Sequence, residues 1–66
     1  MRASVNGVEH ELREGLTVAQ LLEEIRAPKT GIAVARNDEV VRRSSHASEI
    51  VCEGDRIEII RAVAGG

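Results

Sequence analysis

Residues 1–25, MRASVNGVEHELREGLTVAQLLEEI, decide the fold, because they predict two strands joined by a tight turn and then a helix. Apolar and polar residues alternate in residues 1–6 and again in residues 8–12, as they do in strands with one buried face. Asn6-Gly7 between them is the strongest short signal for a type I′ turn, which needs positive φ at both central positions. We therefore predict a β-hairpin.

A helix is predicted after a short connection. Thr17 is the expected N-cap, and Gln20 three positions later completes a capping box, in which each side chain accepts a hydrogen bond from the other residue's backbone N–H. Leu16 before the cap and Leu21 after it have the spacing of a hydrophobic staple. The helix start is thus marked by two independent signals.

The apolar face of this helix is expected to pack on the sheet. Its members lie at helical spacing: Val18, Leu21, Leu22 and Ile25. Pro28 disfavours helical backbone at the residue before it, so the helix should end near Arg26.

Three further strands are predicted at residues 31–36, 39–42 and 56–61, with turns at 37–38 and 54–55. Residues 43–49 are polar and predicted as a loop, and Ile50-Val51 is a short apolar patch. A hairpin, a helix and then more strands predict an α+β domain, with one mixed β-sheet packed on one α-helix. We expect residues 1–66 to form a single domain.

Composition excludes several classes of protein. The 66 residues include no Phe, Tyr or Trp, and nine basic against eleven acidic residues give a net charge of −2. Without a basic excess or an aromatic platform, nucleic acid is not an expected partner. No apolar run is long enough to cross a membrane, and the single cysteine suits a reducing compartment, so a cytoplasmic location is expected.

The last five residues, Ala62-Val63-Ala64-Gly65-Gly66, form a slender tail. Glycine has no Cβ, and chain ends are often mobile, so we expect a flexible segment that can enter a narrow channel in another protein. The hypothesis is that chemistry takes place at the Gly66 carboxylate. The alternative is a frayed terminus with no role.

This order of elements with a Gly-Gly end resembles the ubiquitin-like β-grasp fold. The chain also resembles the ThiS family of sulfur-carrier proteins of thiamine biosynthesis over its whole length. The resemblance rests on a combination of motifs: Asn6-Gly7, Thr17-Val18, Leu21-Leu22, Glu53-Gly54-Asp55 and Val63-Ala64-Gly65-Gly66. The chain departs from the family at His46, where an aromatic residue is frequent, and at Arg42, where proline is frequent.

The resemblance implies a carrier and not an enzyme. An E1-like adenylating partner of the ThiF type would use ATP and magnesium to activate Gly66, and a sulfur donor such as a cysteine desulfurase persulfide would displace AMP. The resulting thiocarboxylate would supply sulfur to a thiazole synthase of the ThiG type. Gly65 would allow close approach, and Ala64 would keep the tail slim. No bound cofactor is expected, and the chain would be a monomer in transient complexes.

The last predicted strand carries apolar residues on both faces. If Ile57 and Ile59 face the helix, Ile60 faces solvent with Ala62. Ile60 is then either an isolated exposed apolar residue, which is common, or part of a partner-binding patch with Ala62 and Val63 beside the tail.

Several side chains are of types that often act in catalysis or metal binding, but we expect simpler structural roles for them. Cys52 is expected to be a small hydrophobic residue, and His10 to lie partly buried and hydrogen-bonded on a strand. With His46 these residues lack the compact spacing of metal ligands, so no metal site is expected. Arg42 and Arg43 are expected at the solvated surface, where they could pair with a partner's acidic groups.

Three other functions remain open. The chain could be a carrier of the molybdopterin-synthase small-subunit type or for another thiocarboxylate pathway. It could be a ubiquitin-like modifier that joins Gly66 to a lysine. It could also be a β-grasp binding module with an inert tail.

Overall fold

The computed structural model describes residues 1–61, and it begins with the predicted hairpin. Strands β1 (Arg2–Val5) and β2 (Val8–Glu11) pair antiparallel. Asn6 and Gly7 between them have φ angles of 50° and 83°. The positive φ at both positions confirms the predicted turn conformation.

The helix α1 (Val18–Glu24) has the predicted start. The Gln20 N–H donates to Thr17 Oγ1 at 3.1 Å, and the Thr17 N–H donates to Gln20 Oε1 at 3.0 Å. The capping box is therefore confirmed. Leu16 and Leu21, the expected staple pair, are both fully buried in the same core.

The helix ends slightly before the predicted residue. Ile25 is the C-cap, and Arg26 lies in the left-handed region with φ 58°. The N–H of Arg26 donates to Glu23 O at 3.1 Å, and that of Ala27 donates to Leu22 O at 2.9 Å. These two hydrogen bonds form a Schellman motif. The motif ends the helix at Ile25, three residues before Pro28.

The remaining strands are β3 (Ile32–Arg36), β4 (Glu39–Val41) and β5 (Arg56–Arg61). The sheet order is β2-β1-β5-β3-β4, with β5 parallel to β1 and antiparallel to β3. The predicted loop after β4 contains a short 3-10 helix, Arg43–Ser45. The mixed sheet and single helix confirm the predicted α+β architecture.

The core lies between α1 and one face of the sheet. Its buried members come from α1, β1, β3 and β5 and from the connecting segments beside them: Ala3, Val5, Leu12, Leu16, Val18, Leu21, Val34, Val51 and Ile57. Residues 46–51 run along the start of the helix, where Val18 N–H donates to Glu49 O and Val51 N–H to Leu16 O, each at 2.8 Å. This contact buries Val51 and leaves Ile50 exposed.

Candidate functional site

The strand that leads into the predicted working end of the chain lies in the centre of the sheet. Residues 62–66 lie outside the described residues, so the roles assigned to Gly66, Gly65, Ala64, Ala62 and Val63, and the flexibility of this tail, stay predictions. The structure does describe the strand that leads into them. β5 lies between β1 and β3, and its last residue, Arg61, pairs with Ile32.

Asn6 helps to hold β5 near its end. Its Oδ1 accepts a hydrogen bond from the Ile59 N–H at 2.8 Å, and its own N–H donates to Ile57 O at 2.9 Å. The residue thus forms the hairpin turn and also continues the β1–β5 pairing through its side chain. β5 is therefore bonded on both sides as far as Ile59, and its last two residues pair with β3.

The alternation along β5 is as predicted. Ile57 is fully buried and Ile59 packs against the core, whereas Ile60 is 55% exposed on the opposite face of the sheet. This placement confirms that Ile60 faces solvent. It puts an apolar side chain one residue before Arg61, on the open sheet face beside the tail.

The apolar surface around Ile60 is larger than the sequence indicated. Ile60 pairs with Ala33 across the β5–β3 ladder, and Val40 pairs with Ala35 across the β3–β4 ladder. Residues that pair directly share a sheet face, and Ala33 and Ala35 are two positions apart on one strand. Val40 is 73% exposed. We call these four residues, Ala33, Ala35, Val40 and Ile60, the sheet patch.

Sequence reasoning missed Val40 and both alanines. In a strand as short as β4, adjacent Val40 and Val41 must point to opposite faces, but the sequence alone does not show which is buried. The register decides this, because Val41 pairs with the buried Val34. Two adjacent apolar residues in a three-residue strand were the available signal.

Cys52 does not pack as the expected small hydrophobic residue. It is exposed, and its Sγ lies 3.5 Å from Arg36 Nη2. The expectation is wrong because Cys52 belongs to the turn that surrounds Asp55, where the backbone bonds to the Asp55 carboxylate and the thiol faces outward. Arg42 and Arg43 are exposed, as predicted.

The two histidines lie apart from each other in the fold. His10, opposite Ala3, is half-buried as predicted, but the predicted hydrogen bond of its side chain is not found within residues 1–61. His46 is half-buried, with Nε2 3.1 Å from Val41 O. Within the same range, no three His, Cys, Asp or Glu side chains are grouped so that they could hold a metal ion.

A buried carboxylate fixes the turn before β5. Asp55 accepts hydrogen bonds from Arg36 Nε and the Cys52 N–H, each at 2.7 Å, and from Asn37 Nδ2 at 3.0 Å. Burial raises the pKa of Asp55, but these bonds outweigh that effect and hold its pKa below the usual value. Arg36 also donates to Glu49 at 2.6 Å. This hydrogen-bond network stabilises the turn just before β5, at the other end of that strand from residue 61.

No helix among the described elements has the length and apolar character needed to cross a lipid bilayer.

A five-stranded mixed sheet of this order, with one helix across one face and an apolar patch on the other, is a ubiquitin-like β-grasp domain. The sequence model of the ThiS family matches residues 2–66. The chain belongs to the ThiS family.

Relatives and solved structures agree with this assignment. The chain is 40% identical to the sulfur carrier protein ThiS of Escherichia coli over 52 residues, which cover 79% of each chain. It is 38% identical over all its residues to a thiazole synthase of Paramagnetospirillum magneticum, of whose length it spans only 20%. The crystal structure of ThiS from Geobacter metallireducens superposes with a TM-score of 0.88 at 29% identity, with both chains fully covered.

Proposed function

We propose that this chain is a sulfur carrier of thiamine biosynthesis, which transports sulfur as a thiocarboxylate at Gly66. The observation that carries the proposal is the family match, which extends to the two terminal glycines. The geometry supports it, because β5 is bonded on both sides and leads directly into the tail. A stiff strand before a slender segment suits delivery of a terminal group into another protein's active site.

The chain's own part in the chemistry is to present a main-chain carboxylate. A carboxylate is a poor electrophile, so an E1-like adenylating enzyme of the ThiF type would convert it to an acyl adenylate, with pyrophosphate as the product from ATP. The terminal sulfur of a donor persulfide would then attack the acyl carbon and expel AMP. A thiol reductant would cleave the resulting disulfide and leave the thiocarboxylate. The reacting groups other than Gly66 belong to the partners.

Thiazole synthase is the proposed acceptor of the sulfur. The chain matches about a fifth of the length of thiazole synthases from Paramagnetospirillum magneticum and Magnetococcus marinus, at 38% and 32% identity. A segment similar to this chain is therefore covalently part of proteins with that name. This link favours thiazole formation over the molybdopterin alternative as the step that consumes the thiocarboxylate.

Intact-mass spectrometry tests the proposal. The chain is incubated with ATP, the cognate adenylating enzyme and a persulfide donor, and the expected product has one oxygen exchanged for sulfur at Gly66. Two controls are a reaction without ATP and a variant with one alanine added after Gly66, which should both stay unchanged. Conversion of the extended variant without prior trimming would show that the Gly66 carboxylate is not the working group.

The alternative functions predict other outcomes of this experiment. A covalent adduct to a second protein would assign the chain to the modifiers. No change with a competent adenylating enzyme would assign it to the binding modules. Rescue of a thiamine requirement, and not of a molybdopterin requirement, would identify the pathway.

A further inference from the structure

The basic residues of this chain fall into two groups. Of the nine Lys and Arg residues, four form ion pairs with carboxylates of the chain: Arg2, Arg13, Arg36 and Arg56. Within residues 1–61 the other five have no carboxylate partner, and all five are exposed: Arg26, Lys29, Arg42, Arg43 and Arg61. The chain's own carboxylates thus pair with the first group, whereas the second group can pair with carboxylates of another protein.

Most of the second group lies at the end of the molecule where β5 ends. Arg61 ends β5 and pairs with Ile32, the first residue of β3. Arg26 and Lys29 belong to the connection that leads into Ile32. Arg42 and Arg43 follow β4, which runs antiparallel to β3 and therefore ends beside the start of that strand. Arg26, Lys29 and Arg43 therefore lie near Arg61 at the end of β5. Arg42 instead borders a separate hollow with Arg36 and Glu39.

Three of these cations line a groove of about 620 Å³ beside the C-terminal end of α1. Its floor is apolar and includes Leu22, Ala27, Pro28 and Ile32. Its rim carries Arg26, Lys29 and Arg43 against the single carboxylate of Glu23.

Part of this rim is preorganised. Arg43 Nη2 donates to Lys29 O at 2.8 Å, so the guanidinium is held across one wall before any partner binds. A fixed cation loses less side-chain freedom on binding than a mobile one. In a chain with net charge −2, this basic rim marks a surface for an acidic partner.

We propose that this groove, which we call the basic groove, docks an acidic loop of the adenylating partner that carries at least one apolar side chain. The carboxylates would meet Arg26, Lys29 and Arg43, and the apolar side chain would cover the floor. Residues 62–66 reach at most about 18 Å when fully extended, so an active site that holds Gly66 brings the partner's surface close to this end. The proposal rests on the proposed function, because that function places an adenylating enzyme at the tail.

The basic groove and the sheet patch would engage the partner from two sides. The sheet patch is on the open sheet face, whereas the groove is formed against the helix. β5 ends between them, because Ile60 belongs to the patch and the next residue, Arg61, pairs with Ile32 of the groove. Apolar contact at the patch would contribute affinity, and the cations would mainly raise the rate and fix the orientation of encounter.

Association kinetics with the cognate adenylating enzyme test the proposal, by stopped flow at several salt concentrations. The test variant is Arg26→Gln/Lys29→Gln, and the matched control is Arg2→Gln/Arg56→Gln, which changes the net charge equally near the start of β5, at the other end of that strand. We expect the groove variant to associate about tenfold more slowly at low ionic strength, with the difference shrinking as salt is added. The control should associate almost as fast as the wild type. Circular dichroism verifies that both variants are folded.

Equal association rates for the groove variant and the control would overturn the docking proposal. Conversion of wild-type Gly66 to the thiocarboxylate would then still support sulfur carriage. A groove-dependent association rate without any conversion of Gly66 would support docking and contradict the proposed function. Wild-type self-association that the groove substitutions abolish would assign the groove to a second copy and also overturn the proposal.

Discussion

Asn6 combines a strained backbone conformation with a long-range hydrogen bond. Its φ is 50°, and its Oδ1 accepts the Ile59 N–H at 2.8 Å. Asn6→Gly keeps the turn conformation but removes the acceptor. We expect the free energy of unfolding to fall by about 1 kcal/mol, the net contribution of a typical hydrogen bond. Urea denaturation measures this change.

Asn6→Asp is the matched variant for that prediction, because it keeps an oxygen acceptor and aspartate tolerates a positive φ. It should lose less stability than Asn6→Gly. An equal loss in the two variants would show that the bond to Ile59 does not stabilise the fold.

The turn at Asn6 was predictable from the sequence, but its second role was not. Asn-Gly determines local backbone angles, which depend on neighbouring residues only. The bond to Ile59 joins residues 53 positions apart and exists only after β5 has docked beside β1. The exposure of Cys52 was also not predictable from neighbouring residues alone. It results from a turn in which the Cys52 N–H donates to the Asp55 carboxylate.

Asp55 makes the stability of the fold sensitive to acid. Its folded-state pKa is below the ordinary value because three hydrogen bonds outweigh the effect of burial. Its contribution is therefore complete above the unfolded pKa of about 4 and is lost as pH falls through the folded pKa.

Asp55→Asn removes this titration and should flatten the pH dependence of the unfolding free energy below about pH 4. It should also cost about 1–3 kcal/mol at neutral pH, because Arg36 loses a buried partner. Denaturant titrations at a series of pH values measure both effects. Glu58→Gln is the control, since Glu58 is exposed on β5 and forms no ion pair within residues 1–61. A matching flattening in the control would exclude Asp55 as the cause.

The helix α1 ends with a residue that is poorly suited to its backbone conformation. Arg26 has φ 58° at the position where a Schellman motif usually has glycine. Arg26→Gly should therefore raise the free energy of unfolding by about 0.5–1 kcal/mol. Thermal unfolding followed by circular dichroism checks the sign. Glu23→Gly, inside the helix, should instead lower stability by about 1 kcal/mol.

Most elements could be predicted from the sequence, but their arrangement depended on the family resemblance. Strand alternation, turn residues and the capping box act locally and gave the element positions. The parallel pairing of β1 with β5 joins distant parts of the chain, and no local pattern specifies it. The sheet patch was only partly predicted for the same reason, because Val40 and Ile60 come together only through β3.

At the scale of the whole molecule, the helix face and the open sheet face differ in what they can bind. The helix covers one face and completes the core, whereas Val40 and Ile60 of the sheet patch are exposed on the other face, with Ala33 half-buried and Ala35 buried. Ile60 places one edge of this patch at the end of β5, the strand that leads into residues 62–66. The sheet patch is therefore the proposed affinity site of the complex, next to the basic groove.

Ile60→Asp tests that assignment. Because Ile60 is 55% exposed, the substitution should leave the fold intact while it places a charge in an apolar contact. We expect the affinity for the adenylating enzyme to fall by at least about tenfold, which corresponds to about 1.4 kcal/mol. Isothermal titration calorimetry measures the affinity.

Val8→Asp is the matched control, since Val8 is 59% exposed but belongs to β2, the edge strand at the far side of the sheet. Its pairing with the buried Val5 places it on the helix side and not on the sheet patch. It should bind like the wild type. Equal affinities for the Ile60 variant and the wild type would remove the sheet patch from the interface, whereas equal losses in both variants would point to a general effect of added negative charge.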